Sequence, residues 1–155
     1  KFEDIPIKIL VKYKVKPIGI KTPLQLKKGN LFDMTFNLSD QITDNLRNLI
    51  MTNKGERLGN PNFGTDLRKT QYNTANKEDA EIEMMAKIQN AVKIFLPFVE
   101  LVDFTTTELP PSMVSSTVDL HSGFAGGALS VKITYTVPQI SNVEKGLTVL
   151  LPMGV

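Results

Sequence analysis

From Leu129 to Val137 the sequence reads LSVKITYTV, in which Leu129, Val131, Ile133, Tyr135 and Val137 alternate without a break with Ser130, Lys132, Thr134 and Thr136. A period of two puts the five apolar side chains on one side of an extended backbone and the polar ones on the other. Such a segment is a half-buried antiparallel strand, and it needs both a pairing partner and a layer over its apolar face. Two partners are at hand. GLTVLLP places Leu147, Val149 and Leu151 on one face, and VELVDFTTT is rich in the β-branched and aromatic residues that strands favour.

The covering layer comes from upstream. Ile42, Leu46, Leu49 and Ile50 recur at helical spacing behind Ser39 or Asp40 as an N-cap. A second, longer helix opens at Asn76 with Glu78, Asp79 and Glu81 in its first turn, where the helix dipole favours negative charge. Its expected buried stripe is Ala80, Met84, Ile88, Ala91, Val92 and Phe95, with Met85 joining Met84 in the core, and Pro97 stops it. Helices first and strands later give an α+β, two-layer domain, in which two main helices pack on a small, mostly antiparallel sheet.

A chain of 155 residues with 41% apolar and 22% charged residues suffices for one domain with a core, not for two. The absence of Cys excludes disulfides and thiolate metal sites, and His121 alone cannot build a metal centre; no metal and no cofactor are expected. His121 lies in the Ser- and Gly-rich run ELPPSMVSSTVDLHSGFAGG, expected to be a long loop or weak hairpin, where a histidine is ordinary polar surface. Nothing approaches the ~18 consecutive apolar residues of a membrane span, and no signal peptide opens the chain, so maturation in a cytoplasm is expected. Because the sequence starts at Lys1 rather than Met, the gene product is expected to extend further in the N-terminal direction.

The first thirty residues hold eight lysines against Glu3 and Asp4, a net +6 that leaves −4 for the rest of a chain whose total is +2. Within them, IPIKILVKYKV alternates Ile5, Ile7, Ile9, Val11, Tyr13 and Val15 with lysines, which makes residues 1–16 a basic strand or arm. A lysine-lined edge resists casual pairing; it is either a solvated face or a surface for an acidic partner. No glycine loop followed by Lys-Ser/Thr cradles a phosphate, and Tyr13 is the arm's only candidate for base stacking, so nucleic acid is not the expected partner.

Between the two helices runs TNKGERLGNPNFGTDLRK, with turn signals at KGE and NPNFG. Gly55 suits a left-handed helix end, Pro61 sets a turn after Asn60, and Glu56, Arg57, Asp66 and Arg68 are placed to pair across the loop. Exposed pairs of that kind contribute roughly 0 to 1 kcal/mol each, so charge alone does not explain the stretch.

The run LRNLIMTNKGERLGNPNFGTDLRK resembles the signature of the baseplate wedge family of contractile-tailed phages: an apolar helix, a Gly-Glu-Arg turn, Asn-Pro-x-Phe-Gly, then Leu-Arg. IGIKTPLQLKKG upstream and NKEDAEIEMMAKIQNAVKIF with its proline and strands downstream match the family in order and length. The likeness covers about residues 17–104 and, more loosely, 127–152, so residues 17–155 are expected to be the wedge domain, with a loop insertion near 108–127. Where many members have Glu-Pro-Arg at the end of the long helix, this chain has Leu96, Pro97 and Phe98. In the family that tripeptide docks on the wedge's helical core bundle; here the three residues either make an apolar version of that contact or join the core.

What the resemblance implies is a fold similar to the inner domain of tail sheath subunits and a structural role in a virion's tail baseplate, assembled in the host cytoplasm. Expected partners are other wedge proteins, sheath subunits and the tail tube, in a six-fold assembly; a type VI secretion baseplate component is a similar alternative. Gly55, Glu56, Arg57, Asn60, Pro61, Phe63, Gly64, Leu67 and Arg68 would form the docking turn, stapled by Glu56, Arg57 and Arg68. Sheath would be started by strand addition, with LSVKITYTV and GLTVLLP, hence Leu129, Val131, Ile133, Tyr135, Leu147, Val149 and Leu151, as the template. Removing residues 146–155 is then expected to leave a soluble domain that still joins the wedge but no longer seeds sheath. Because some members are called lysozyme-like, a baseplate-associated glycoside hydrolase is the competing class; it needs two carboxylates across a cleft, one with a raised pKa. Glu56 and Asp66 are the only pair the loop offers, and the neighbouring arginines would lower a carboxylate pKa, so no catalytic residue is expected.

Overall fold

A computed structural model describes residues 16–27, 31–73, 77–110, 113 and 127–152. In chain order the elements are β1 (Gly19–Ile20), β2 (Met34–Thr35), α1 (Leu38–Met51), α2 (Leu67–Asn73), α3 (Lys77–Phe95), β3 (Glu100–Leu109), β4 (Ala128–Val137) and β5 (Ser141–Pro152). The chain divides into two compact units, Lys1–Asp44 and Asn45–Val155, and the boundary falls inside α1. The expected basic strand of residues 1–16, but for Lys16, the Asn76 cap, and most of the 108–127 loop with His121 lie outside the described residues.

In the first unit, β1 and β2 form a two-stranded antiparallel ladder with Gly19 opposite Thr35 and Ile20 opposite Met34. Asp33, just before β2, accepts from Lys27 at 2.9 Å and lies 3.7 Å from Lys21, and the Lys27 bond holds its carboxyl below the usual range. The backbone N–H of Thr22 donates to the buried Asp44 at 3.2 Å. The helix cap is Asn37, not Ser39 or Asp40. Its side-chain oxygen accepts from Ser39 N at 3.0 Å, and its carbonyl accepts the first helical bond from Gln41 N at 3.1 Å. That geometry is the N-cap pattern, with the cap's side chain satisfying an N–H that the helix itself leaves open. The expected stripe of α1 is buried, with Ile42, Leu46, Leu49 and Ile50 all at most 4% exposed.

The second unit is a mixed α+β arrangement built on a three-stranded antiparallel sheet of order β3-β4-β5. Register sets its faces: Val131 lies opposite Thr106 on one side and Val149 on the other, and Ile133 lies between Phe104 and Leu147. The five alternating apolar residues of β4 are buried together with Leu147, Val149 and Leu151. From α3, Met84, Ile88, Ala91 and Val92 are buried, and Glu81 accepts a hydrogen bond from Thr106 of β3, so the helix covers this face. Each fully buried Val, Leu or Ile contributes roughly 1.5–3 kcal/mol relative to exposure.

Three expectations are corrected here. Met85 is 38% exposed, because residues adjacent on a helix point about 100° apart and the stripe takes only Met84. Strand β5 starts at Ser141, well before GLTVLLP: a turn closed by Ile140 N on Val137 O at 2.9 Å folds it straight back along β4. Finally, β4 is paired on both sides, so its backbone groups are already used and it cannot itself accept an added strand. Among the described residues the open edges belong to β3 and β5. A bulge between Leu101 and Asp103 interrupts the β3 ladder and leaves Val102 exposed, the kind of irregularity that blunts an edge.

Candidate functional site

The stretch between α1 and α2 is a closed loop. Its ends are joined by Thr65 N donating to Thr52 O at 3.0 Å, and the buried Thr65 hydroxyl donates to Ile50 O at 2.7 Å. Thr52 in turn completes α1, its N–H and hydroxyl both donating to Asn48 O at 3.1 and 2.5 Å. A segment of this length with bonded ends and its own internal packing is an Ω-loop.

Inside it, three tight turns follow one another. Glu56 N donates to Asn53 O at 3.2 Å, Asn60 N to Arg57 O at 3.2 Å, and Phe63 N to Asn60 O at 3.1 Å, the last carrying Pro61 at the position whose φ proline presets. Gly55 N donates to Pro61 O at 2.7 Å, which locks the first turn onto the third. Gly55 has φ +91°, as a left-handed turn requires, but it follows Met51 by several residues and does not end α1. Gly64 has φ +122°, and a Cβ there would lie 2.3 Å from Thr52 O, so only glycine lets the two ends of the loop meet.

The charged residues do not staple the loop as expected. Glu56 takes hydrogen bonds from Asn53 N at 2.8 Å and Asn53 Nδ2 at 2.7 Å, and reaches neither arginine. Asp66, in the left-handed region at φ 56°, accepts from Lys54 N at 2.7 Å and pairs with Lys69 at 3.4 Å. Arg57 instead lies over the ring of Phe63, 3.7 Å from its centroid, and that ring meets Phe95 of α3 at 5.0 Å, tilted by 60°. A tilted ring pair adds about 0.5–1.5 kcal/mol beyond buried area, and an exposed cation–π contact about 0.5–1. Arg57, Phe63 and Phe95 thus form a stack that fastens the loop to the end of α3. Arg68 is exposed on α2 while Leu67 beside it is buried, and the backbone of Asn60, Pro61 and Gly64 shapes the turns. The tip carries Leu58, fully exposed.

Sequence reasoning missed Thr52, Asn53, Lys54 and Thr65, which close the loop. The spacing of Asn53 and Glu56 was a usable signal: an Asn or Ser followed three residues later by Glu is the capping-box pattern. Leu96 is buried and Phe98 half-buried, with the turn closed by Val99 N on Leu96 O at 2.9 Å, so only Pro97 of that tripeptide is exposed. Leu96 joins the core.

Hydrogen bonds from the Asn53 backbone and side chain hold the Glu56 carboxyl below its ordinary 4.5, helped by the charge of Arg68. A depressed folded pKa means that these bonds contribute fully above the unfolded value and are lost as pH falls through the lower folded one. The amide of Asn53 is therefore expected to be protected from exchange at about pH 6 and to lose that protection at a pH below the ordinary carboxylate range. Glu56→Gln should remove the pH dependence. An Asn53 amide equally protected above and below that range would contradict the assignment. A carboxyl held low is also the opposite of what a general acid needs. Among the described residues no group of three His, Cys, Asp or Glu side chains is placed to hold a metal ion, and no helix is long and apolar enough to cross a membrane.

No family model matches the sequence, and no curated protein matches it. Solved structures do share the fold. A candidate tail lysozyme from Geobacter sulfurreducens, 19% identical, superposes with a TM-score of 0.58 over 77% of this chain and 94% of its own. A chain of the six-fold symmetrised baseplate of the anti-feeding prophage, 16% identical, superposes with a TM-score of 0.56 over 79% of this chain and 86% of its own. What this chain has in common with both, at these identities, is an α+β fold.

Proposed function

We propose that this chain is a structural subunit of the baseplate of a contractile-tail injection machine, a wedge component that docks on its neighbours and starts the sheath. The observation that carries the reading is the closed, glycine-dependent loop at residues 52–65, pinned to α3 through Phe63 and Phe95, which holds Leu58 out to solvent. A rigid loop with a projecting apolar side chain and no carboxyl suited to acid catalysis is built for contact rather than chemistry. The fold likeness to a baseplate chain of the anti-feeding prophage supports the setting. The partners would be wedge proteins, sheath subunits and the tail tube, in a particle assembled in the host cytoplasm; the alternative setting is a type VI secretion baseplate.

In this reading the sheath strand is added at the outer edge of β5, since β4 is central. Thr148 and Leu150 lie on the face away from the core, while Leu147, Val149 and Leu151 line the core. Thr148→Lys with Leu150→Lys is therefore expected to leave the melting temperature within a few degrees of the parent and to stop sheath polymerisation, because edge lysines oppose strand addition. Sheathed tails of normal length in that variant would remove β5 from the mechanism.

The test of the whole proposal is electron microscopy of tails assembled without this protein and after its addition. Baseplates and bare tubes, sheathed once the protein is restored, are the expected result; sheathed tails in its absence would refute it. The lysozyme reading has one observation in its favour, the naming of the Geobacter sulfurreducens structure. It predicts that purified protein clears cell walls, whereas the low Glu56 pKa leads us to expect no lysis.

A further inference from the structure

Beside the loop lies a groove of about 420 Å³, bounded on one side by Lys54, Asn62 and Thr65 and on the other by Lys87, Asn90, Ile94 and Phe95 of α3. Its size falls within the ~300–1,000 Å³ range of ligand clefts. The chemistry of its walls is one-sided. Two ammonium groups and two side-chain amides line it, and Glu83, the carboxylate beside them, is already paired with Lys87 at 2.7 Å, which leaves Lys54 as the groove's unmatched charge among the described residues.

The two lysines differ in a useful way. Lys87 is fixed, donating at 2.7 Å to Thr70 Oγ1 and at 2.7 Å to Glu83, so two of its three N–H groups are used and its position is set before any ligand arrives. Lys54 is exposed, its backbone N–H is spent on Asp66, and its ammonium has no ion-pair partner among the described residues. In the same groove Ile94 is 70% exposed, an apolar side chain on a helix whose core stripe runs along another face. A cation, a preorganised donor, two amides and an isolated apolar surface match a ligand with a carboxylate next to an aliphatic group.

We infer that this groove receives an acidic, leucine-type segment of a neighbouring protein, its carboxylate against Lys54 and Lys87 and its aliphatic side chain on Ile94 and Phe95. The inference deepens the docking proposal by naming the partner's chemistry, and it rests on that proposal. Complementary charge here gives selectivity more than raw affinity. The groove therefore discriminates glutamate from glutamine.

The experiment is an amide-shift titration of the full chain with two blocked peptides, acetyl-Gly-Glu-Leu-Leu-Glu-Gly-amide and its twin with Gln at both Glu positions. Saturable shifts are expected at Lys54, Asn62, Asn90 and Ile94 with the acidic peptide. Affinity should fall about fivefold or more for the Gln twin and for Lys54→Gln, as loss of one charge pair worth about 1 kcal/mol implies. Ile94→Ser should abolish binding while Lys132→Gln, outside the groove, changes nothing. Equal affinity for the two peptides would reassign the groove to a neutral apolar partner and overturn the inference, as would shifts centred elsewhere or no saturable shift. The titration reads the groove alone. A protein that binds the acidic peptide but does not enter baseplates sinks the functional proposal only, and one that sheathes tails but ignores the peptide sinks the groove only.

Discussion

Gly64→Ala is expected to destabilise the protein by about 2–4 kcal/mol, the sum of a positive-φ backbone cost of about 1–3 kcal/mol and a lost backbone hydrogen bond of about 1. The new Cβ would sit 2.3 Å from Thr52 O and 2.9 Å from Thr52 C, both backbone atoms at the end of α1 that cannot swing aside. Relief requires the Thr65 N to Thr52 O bond to open, and with it the point where the loop closes. The neighbouring glycines give internal controls. Gly55 has φ +91° but open space around its missing Cβ, so Gly55→Ala meets only the conformational cost, about 1–2 kcal/mol. Gly59 has neither constraint, and Gly59→Ala should lie within about 0.5 kcal/mol of the parent. Urea unfolding of the three variants checks the order; a Gly64→Ala as stable as Gly59→Ala would mean that the loop is not closed in the way described. In an assembly assay the Gly64 variant should also lose docking, because Phe63 is carried on the same turn.

What could be read in advance follows the range of the physical signal. The faces of β4 and α1, and most of the stripe of α3, depend on spacing within one element, and Leu129 through Val137 or Ile42 through Ile50 carry that pattern in full. Two-residue strands such as Gly19–Ile20 have no period to detect, and the seven residues of α2 make only about two turns, too few to mark a helical face. The loop divides in the same way. Gly55 and Pro61 announce turns because their φ preferences are intrinsic, whereas the tether of Phe63 to Phe95 is a pairing of distant residues. Charge misled. Glu56, Arg57 and Arg68 read as a salt-bridge staple, but an exposed carboxylate with an adjacent backbone N–H and amide gains more from two short hydrogen bonds than from a solvated guanidinium, and the Arg57 plane finds an aromatic face instead. Edge or centre in the sheet was likewise beyond reach, since strand order depends on how the hairpins fold back.

That strand order has its largest consequence at Tyr135. It is fully buried on the central strand, in the same inner face as Ile133 and Val137 and beside the bulge that separates Leu101 from Asp103. Truncating an aromatic side chain in a core with pairs on both sides leaves a cavity that neither neighbour strand can close without breaking its ladder. Tyr135→Ala is therefore expected to cost about 3–5 kcal/mol, which for a domain of this size lowers the melting temperature by about 6–20 °C. The exposed Lys132 on the opposite face of the same strand should tolerate alanine within about 0.5 kcal/mol. Calorimetry of the pair separates a two-faced central strand from a loosely packed one: if Lys132→Ala proved as costly as Tyr135→Ala, the burial pattern of β4 would be wrong. The same packing argument bears on the expectation that a chain without residues 146–155 stays a soluble domain and still joins the wedge. Leu147, Val149 and Leu151 are each at most 2% exposed against β4, so removing them opens the core instead of freeing an edge, and a strand-addition mutant has to be made on the outward residues of β5.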